Sequence, residues 1–261
     1  MLKQRVWTAV ILIPLVIAAI YLLPFFYFFV LASALVLLCA WEWCTVAKLS
    51  IKVLYLLCTL LFCALSWVLP FELWVLLGVF LWITLFIALY RYPKGVQFWQ
   101  KWTLFRAITG LTVLLSFLGS LMVLKKGSPT ALLTLLLVVW WMDSAAYFIG
   151  KKWGKKPLSP EISPKKTREG LAGALVLLIV LAIPLVVCVD FYKASPVAWF
   201  CVILITGIVS VLGDLVESMA KRIYHVKDSG HCLPGHGGIL DRLDSLFAAS
   251  VCFAFGLMLF S

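Results

Sequence analysis

Between Val6 and Ala40 the chain carries no charged side chain, and only Pro14 and Pro24 interrupt the apolar run. In lipid, a segment like this must satisfy its backbone polar groups internally, so it spans as helix. Comparable runs recur to the end of the chain. They predict spans at 6–23, 25–41, 53–70, 73–90, 106–124, 129–149, 171–189, 196–217 and 243–260. The fold class is therefore all-α, a polytopic integral membrane protein with about nine transmembrane helices. A hydrophobic content of 64% with 13% charged residues excludes a soluble domain of 261 residues. The first run is far longer than the apolar core of a secretory signal. The small-x-small triplet Ala32-Ser33-Ala34 lies too deep for cleavage, so 6–40 reads as two retained spans meeting near Pro24.

Charge tests this topology. With the N-terminus in the cytoplasm, Lys125, Lys126 and Lys193 are the basic residues left outside, out of 22 Lys and Arg. That asymmetry obeys the positive-inside rule and places the C-terminus outside. The net charge of +11 is then a topology signal, and no soluble basic domain exists to bind nucleic acid. Of the eight cysteines, Cys39, Cys44, Cys58, Cys63, Cys188, Cys201 and Cys252 lie in or beside apolar runs. With no CxxC pair, they read as small buried hydrophobes. The domain reading is 1–127 for N-terminal transmembrane helices and 128–261 for a catalytic transmembrane region with cytoplasmic loops at 150–170 and 218–242.

Three polar constellations stand out. Asp143 sits near the cytoplasmic end of an apolar span, where a carboxylate is costly unless it lines a wet cavity. It is a candidate metal or nucleotide contact. Residues 150–170 hold seven cations against two acids, with Pro157, Pro160 and Pro164 and the hydroxyls of Ser159, Ser163 and Thr167. Rigid turns presenting Lys and hydroxyls suit phosphate binding, and a lipid-headgroup anchor is the alternative. The third runs from Gly213 to Ser245. Asp214, Glu217, Ser218 and Lys221 share one helix face at i, i+3, i+4 and i+7, and Asp241, Asp244 and Ser245 share another. Converging carboxylates demand a cation between them, and hard oxygen ligands favour Mg²⁺ shared with substrate phosphates. Lys221, Arg222, Lys227 and Arg242 are placed to hold the remaining phosphate charge. His231, Cys232 and His236 are close in sequence, but with no second Cys pair and no HExxH motif, turn-forming or substrate-binding roles are favoured over zinc. No P-loop, GxGxxG or GxSxG motif is present.

The ordered stretch S-M-A-K-R-x(4)-K-D-S-G-x(2)-L-P-G-H-G-G-I-L-D-R-L-D, Ser218 to Asp244, resembles the signature of the phosphatidate cytidylyltransferases, or CDP-diacylglycerol synthases. Asp143-Ser144-x-Ala146-Tyr147 is similar to that family's D-S/T-x-A-Y. Leu158-x-Pro160-x-Ile162-Ser163-Pro164-x-Lys166-Thr167-x-Glu169-Gly170 is similar to its L-x-P-x-I-S-P-x-K-T-x-E-G. The likeness covers roughly 140–245, and the bacterial members are the closest in size. Ala145 and His225 stand where the family commonly has glycine, which bears on local backbone geometry.

The resemblance implies transfer of CMP from CTP to phosphatidate, with pyrophosphate released, at the cytoplasmic face of a bacterial plasma (inner) membrane. It implies Asp214 and Asp241 as ligands of Mg²⁺, with a second cation such as K⁺, and a homodimer. Lys227, Asp228 and Lys221 join them as catalytic candidates, with Lys227, Lys221 and Arg242 assigned to phosphates. Asp143, Asp228 and Asp244 are candidates for metal or nucleotide contact. Lys165, Lys166 and Thr167 are assigned to the lipid or the triphosphate. Ser218, Arg222 and His236 complete the substrate-binding set, His236 shaping the turn or touching phosphate. A CDP-alcohol phosphotransferase would carry D-G-x(2)-A-R-x(8)-G-x(3)-D-x(3)-D, which is absent. A transporter for an anionic solute is the remaining alternative, without the internal repeats that would support it.

Overall fold

The computed structural model describes residues 2–188, 195–230 and 237–260, except for the side chains of residues 2–9, Phe98 and Cys188. The chain runs through α1 (Leu2–Leu22), α2 (Phe25–Val46), α3 (Lys52–Val68), α4 (Phe71–Tyr90), a short α5 (Gln97–Lys101), α6 (Thr103–Gly127) and α7 (Pro129–Trp153). A hairpin follows, β1 (Pro157–Ser159) and β2 (Ser163–Thr167), and then α8 (Arg168–Cys188), α9 (Pro196–Ile223) and α10 (Leu240–Phe260). Pro24 is the N-cap residue of α2 and separates it from α1 as expected, whereas Pro14 lies inside α1 without ending it.

Among the described residues, seven helices are long and apolar enough to cross a bilayer: α2, α4, α6, α7, α8, α9 and α10. Two more of the expected spans are present as shorter apolar helices, Val10–Leu22 and Lys52–Val68. The protein is thus an all-α, polytopic membrane protein. α6 is its central helix, with 72% of its apolar window buried, whereas α8 has only 22% buried and lies at the periphery. α6 packs against α4, α2 and α10; α10 packs in turn on α9; α7 bridges α8 and α9. α4 shows why so apolar a chain keeps an outer surface. Trp74, Val75, Gly78, Trp82 and Leu85 are buried, while Leu73, Leu76, Leu77, Phe80, Ile83 and Ile87 are exposed on the opposite stripe, where lipid rather than water satisfies them.

Three expected boundaries that bear on the site move. α9 runs on to Ile223 instead of stopping at 217, so Ser218, Lys221 and Arg222 are helical and not in the loop. α10 begins at Leu240, not 243, which puts Asp241 in its first turn. The segment 150–170 is not one loop: α7 continues to Trp153, and the rest folds as an antiparallel hairpin pairing Pro157 with Thr167 and Ser159 with Ser163. Cys39, Cys44 and Cys63 are buried, as expected of small apolar side chains, whereas Cys201 is exposed.

Candidate active site

The α9–α10 crossing sets the site. A Cβ on Gly213 would lie 2.8 Å from the Ala248 Cβ and 3.1 Å from the Asp244 carbonyl oxygen, so the two backbones touch there. The next residue, Asp214, is thereby brought against the first turns of α10. Asp244 lies within electrostatic reach of Asp214, Glu217 and Asp143. Asp143 arrives from α7, where the Ser245 hydroxyl donates to its Oδ1 at 3.3 Å. The Ser245 N–H donates to Asp244 Oδ1 at 2.7 Å, and the Ser218 hydroxyl donates to Asp214 Oδ1 at 3.3 Å. Three helices that are remote in sequence therefore deliver Asp143, Asp214, Glu217, Asp241 and Asp244 to one place.

Two lysines are paired within this acidic group. Lys221 Nζ bridges Glu217 Oε2 at 2.6 Å and Asp241 Oδ1 at 2.9 Å. Lys166 forms an ion pair with Asp214 Oδ2 and so ties β2 to α9. Arg222 reinforces the same junction, its Nε donating to the Ile162 carbonyl at 3.2 Å in the hairpin turn. The docked hairpin forms one wall of a cavity of about 670 Å³ lined by Asp143, Tyr147, Lys165, Lys166, Thr167 and Asp214. That volume falls within the range of small-molecule sites. Asp143 and Asp214 thus share the cavity lining with Lys165 and Lys166 of β2 and Lys151 of α7.

Thr167 has a duty that its sequence position did not disclose. Its hydroxyl accepts the Gly170 N–H at 3.1 Å and caps α8 while also lining the cavity. Glu169 accepts the N–H groups of Lys155 and Lys156 at 3.0 and 3.2 Å, closing the base of the hairpin onto the same helix. The backbone amides around the lysine-rich wall are thus pinned.

The loop between α9 and α10 is anchored at both described ends. Asp241 Oδ2 accepts the N–H groups of Ser229 and Gly238, each at 3.0 Å. His225 has φ 55, a left-handed conformation that favours glycine, which accounts for the glycine common at this position in the resembling family. Lys227 and Asp228 are exposed and make no hydrogen bond or ion pair with the described residues. Arg242 is exposed on the first turn of α10. His236, with His231 and Cys232, lies outside the described residues.

One acid was missed altogether. Glu42 on α2 is only 1% exposed, and its carboxylate accepts the Ile239 N–H at 3.0 Å, the Leu240 N–H at 2.8 Å and the Ser229 hydroxyl at 3.2 Å. A lone acid inside an apolar span was the available signal. Its partners lie 187 to 198 residues away, beyond any local pattern.

No cluster of three or more His, Cys, Asp or Glu side chains that could hold a metal occurs among the described residues. Mg²⁺ needs less: it is commonly held by one or two carboxylates, with waters and substrate phosphates completing its shell. Asp214 and Asp241 are the carboxylates expected to fill this role. Each carboxylate offers about four lone-pair sites, and each already attracts an ammonium ion, Lys166 or Lys221, that marks a place of cation demand.

The model of the cytidylyltransferase family matches residues 3–260, almost the whole chain. The chain belongs to the cytidylyltransferase family. A phosphatidate cytidylyltransferase of Haemophilus influenzae is 33% identical over 98% of both chains, and one of Pseudomonas aeruginosa is 36% identical over 97% of this chain and 96% of that one. A Bacillus subtilis phosphatidate cytidylyltransferase is 51% identical over 128 residues, 48% of this chain. The acids and lysines described above are thus those of a membrane-embedded cytidylyltransferase, a class whose substrates are nucleoside triphosphates and whose catalytic problem is phosphate charge.

Proposed function

We propose that this cytidylyltransferase transfers CMP from CTP to phosphatidate, giving CDP-diacylglycerol for phospholipid synthesis and releasing pyrophosphate. The observation that carries the reading is the open cavity at the end of a lipid-facing helical bundle, lined together by Asp143 of α7, Asp214 of α9 and the lysines of β2. A soluble triphosphate and an interfacial lipid headgroup can meet at such a place.

A phosphate oxygen of phosphatidate attacks the α-phosphorus of CTP as the bond from that phosphorus to the bridging oxygen of pyrophosphate breaks. The nucleophile is already an anion, so no general base is required, and catalysis reduces to alignment and charge neutralisation. Lys165 and Lys166 on β2 hold phosphate charge, Lys166 exchanging its Asp214 partner for substrate. Lys221 keeps Asp241 and Glu217 in register. Asp214 and Asp241 are the residues that would hold Mg²⁺, which neutralises charge on the phosphates when bound. Asp143 and Asp244 are assigned to the nucleotide or to a second cation such as K⁺. Lys227 and Arg242, both exposed, are assigned to substrate phosphates, and the exposed Asp228 to metal or nucleotide. The positive-inside bias supports a cytoplasmic orientation of this face in a bacterial plasma (inner) membrane.

Purified protein in detergent micelles tests the reading. Pyrophosphate and CDP-diacylglycerol should form in equal amounts, and only when CTP, phosphatidate and Mg²⁺ are all present. Pyrophosphate release without phosphatidate would refute it.

A further inference from the structure

Glu42 belongs to neither wall of the cavity, yet it is among the most completely buried charged groups described, at 1% exposure. Burying a carboxylate is costly unless hydrogen bonds replace its lost hydration. Here they come from one place. Oε1 takes the Ile239 N–H, and Oε2 takes the Leu240 N–H and the Ser229 hydroxyl. The two amides belong to the start of α10, where N–H groups have no partner within the helix and the dipole favours an anion. Glu42 therefore caps α10 from a different helix.

The slot is built for this carboxylate. A Cβ on Gly230 would come within 2.7 Å of Glu42 Oε1, and a Cβ on Gly238 within 2.6 Å of Oε2 and 2.0 Å of the Ser229 hydroxyl. Ser229 joins two acids at once, its hydroxyl donating to Glu42 and its N–H to Asp241. Gly238 N–H donates to the same Asp241 oxygen. Hence the segments on either side of the loop, 228–230 and 237–241, are gathered by two carboxylates that share Ser229.

We propose that Glu42 is a positioning residue for the transfer reaction. It fixes the loop ends and the first turn of α10, and through Ser229 and Gly238 it sets the position of Asp241. Its effect on metal holding rests on the proposed role of Asp241; its effect on the loop does not.

Glu42→Gln is nearly isosteric but offers one acceptor oxygen and an NH₂ group, so at least one donor now faces another donor. Amide hydrogen exchange by mass spectrometry should rise about 10–100-fold in peptides covering 226–230 and 237–243, in keeping with loss of charge-assisted bonds. Exchange in α7 should not change. Mn²⁺ binding by electron paramagnetic resonance, without turnover, should weaken about 10–100-fold. kcat should fall while KM for phosphatidate is retained. Ser229→Ala, which keeps Glu42 and its two backbone bonds, should shift each readout in the same direction by less, and it decides the matter if Glu42→Gln does not fold. Faster exchange spread evenly over all helices, or unchanged local exchange in both variants, would overturn the proposal. If the unsubstituted protein binds no Mn²⁺, the metal assignment falls, while local exchange still decides the role of Glu42.

Discussion

Lys221 offers the sharpest test of how the acids are held together. It pairs with Glu217 and Asp241, and the three side chains retain only 18%, 14% and 13% of their exposure. In Lys221→Met the stem is kept and the charge removed, leaving two nearly buried carboxylates facing each other. Removing one partner of a fully buried pair costs about 3–5 kcal/mol. With the residual exposure screening part of that, about 2–3 kcal/mol is expected here. For a chain of this size that lowers the unfolding midpoint by roughly 4–12 °C, measured in detergent with a chelator present. The uncompensated charge should also draw divalent cations more strongly. Adding Mg²⁺ should therefore raise the midpoint of Lys221→Met by more than it raises that of the unsubstituted protein. A midpoint within about 1 °C of the unsubstituted protein, roughly a 0.3 kcal/mol effect, would refute the pairing. Equal gains from Mg²⁺ in both proteins would refute the cation demand of this cluster.

Gly238→Ala should be among the most damaging small substitutions in the chain. Its Cβ meets the Ser229 hydroxyl at 2.0 Å and the Gly230 backbone nitrogen at 2.8 Å, and backbone cannot swing aside. A loss of at least about 1–3 kcal/mol in thermal unfolding and a collapse of activity are expected. Lys166→Gln removes the ion pair to Asp214 and a cation from the cavity wall, so KM for CTP or phosphatidate should rise about tenfold, read by steady-state kinetics with each substrate varied in turn. His225→Gly relieves the left-handed strain at φ 55, and the variant should keep its activity with an unfolding midpoint no lower than before.

The helices were legible because lipid imposes one local rule on each: an apolar run of spanning length. The site was legible where chemistry repeats along a helix face. Asp214, Glu217 and Lys221 fall at i, i+3 and i+7, and α9 continues far enough to keep them in that register. Asp241 and Asp244 point inward for the same reason. The ends of those helices were harder to place. α9 runs six residues past 217, to Ile223, because Lys221 and Arg222 find partners in Asp241 and the Ile162 carbonyl, neither of which is near in sequence. α10 starts early because a carboxylate from α2 satisfies its first amides. The hairpin at 157–167 was hidden by strands of three and five residues among prolines, held as much by the docking of Lys166 and Arg222 as by their own ladder. Glu42 carries no motif, and only the packing of α2 beside α10 gives it meaning.

The acidic cluster is held to be the seat of cytidylyl transfer, and Asp241 ties its parts together through Lys221, Ser229 and Gly238. Pre-steady-state pyrophosphate release by Asp241→Asn, at saturating CTP, phosphatidate and Mg²⁺, measures that directly. A rate lower by about 10²–10³-fold is predicted, in a protein that still folds and still requires all three components for its residual turnover. A rate near that of the unsubstituted enzyme would contradict it.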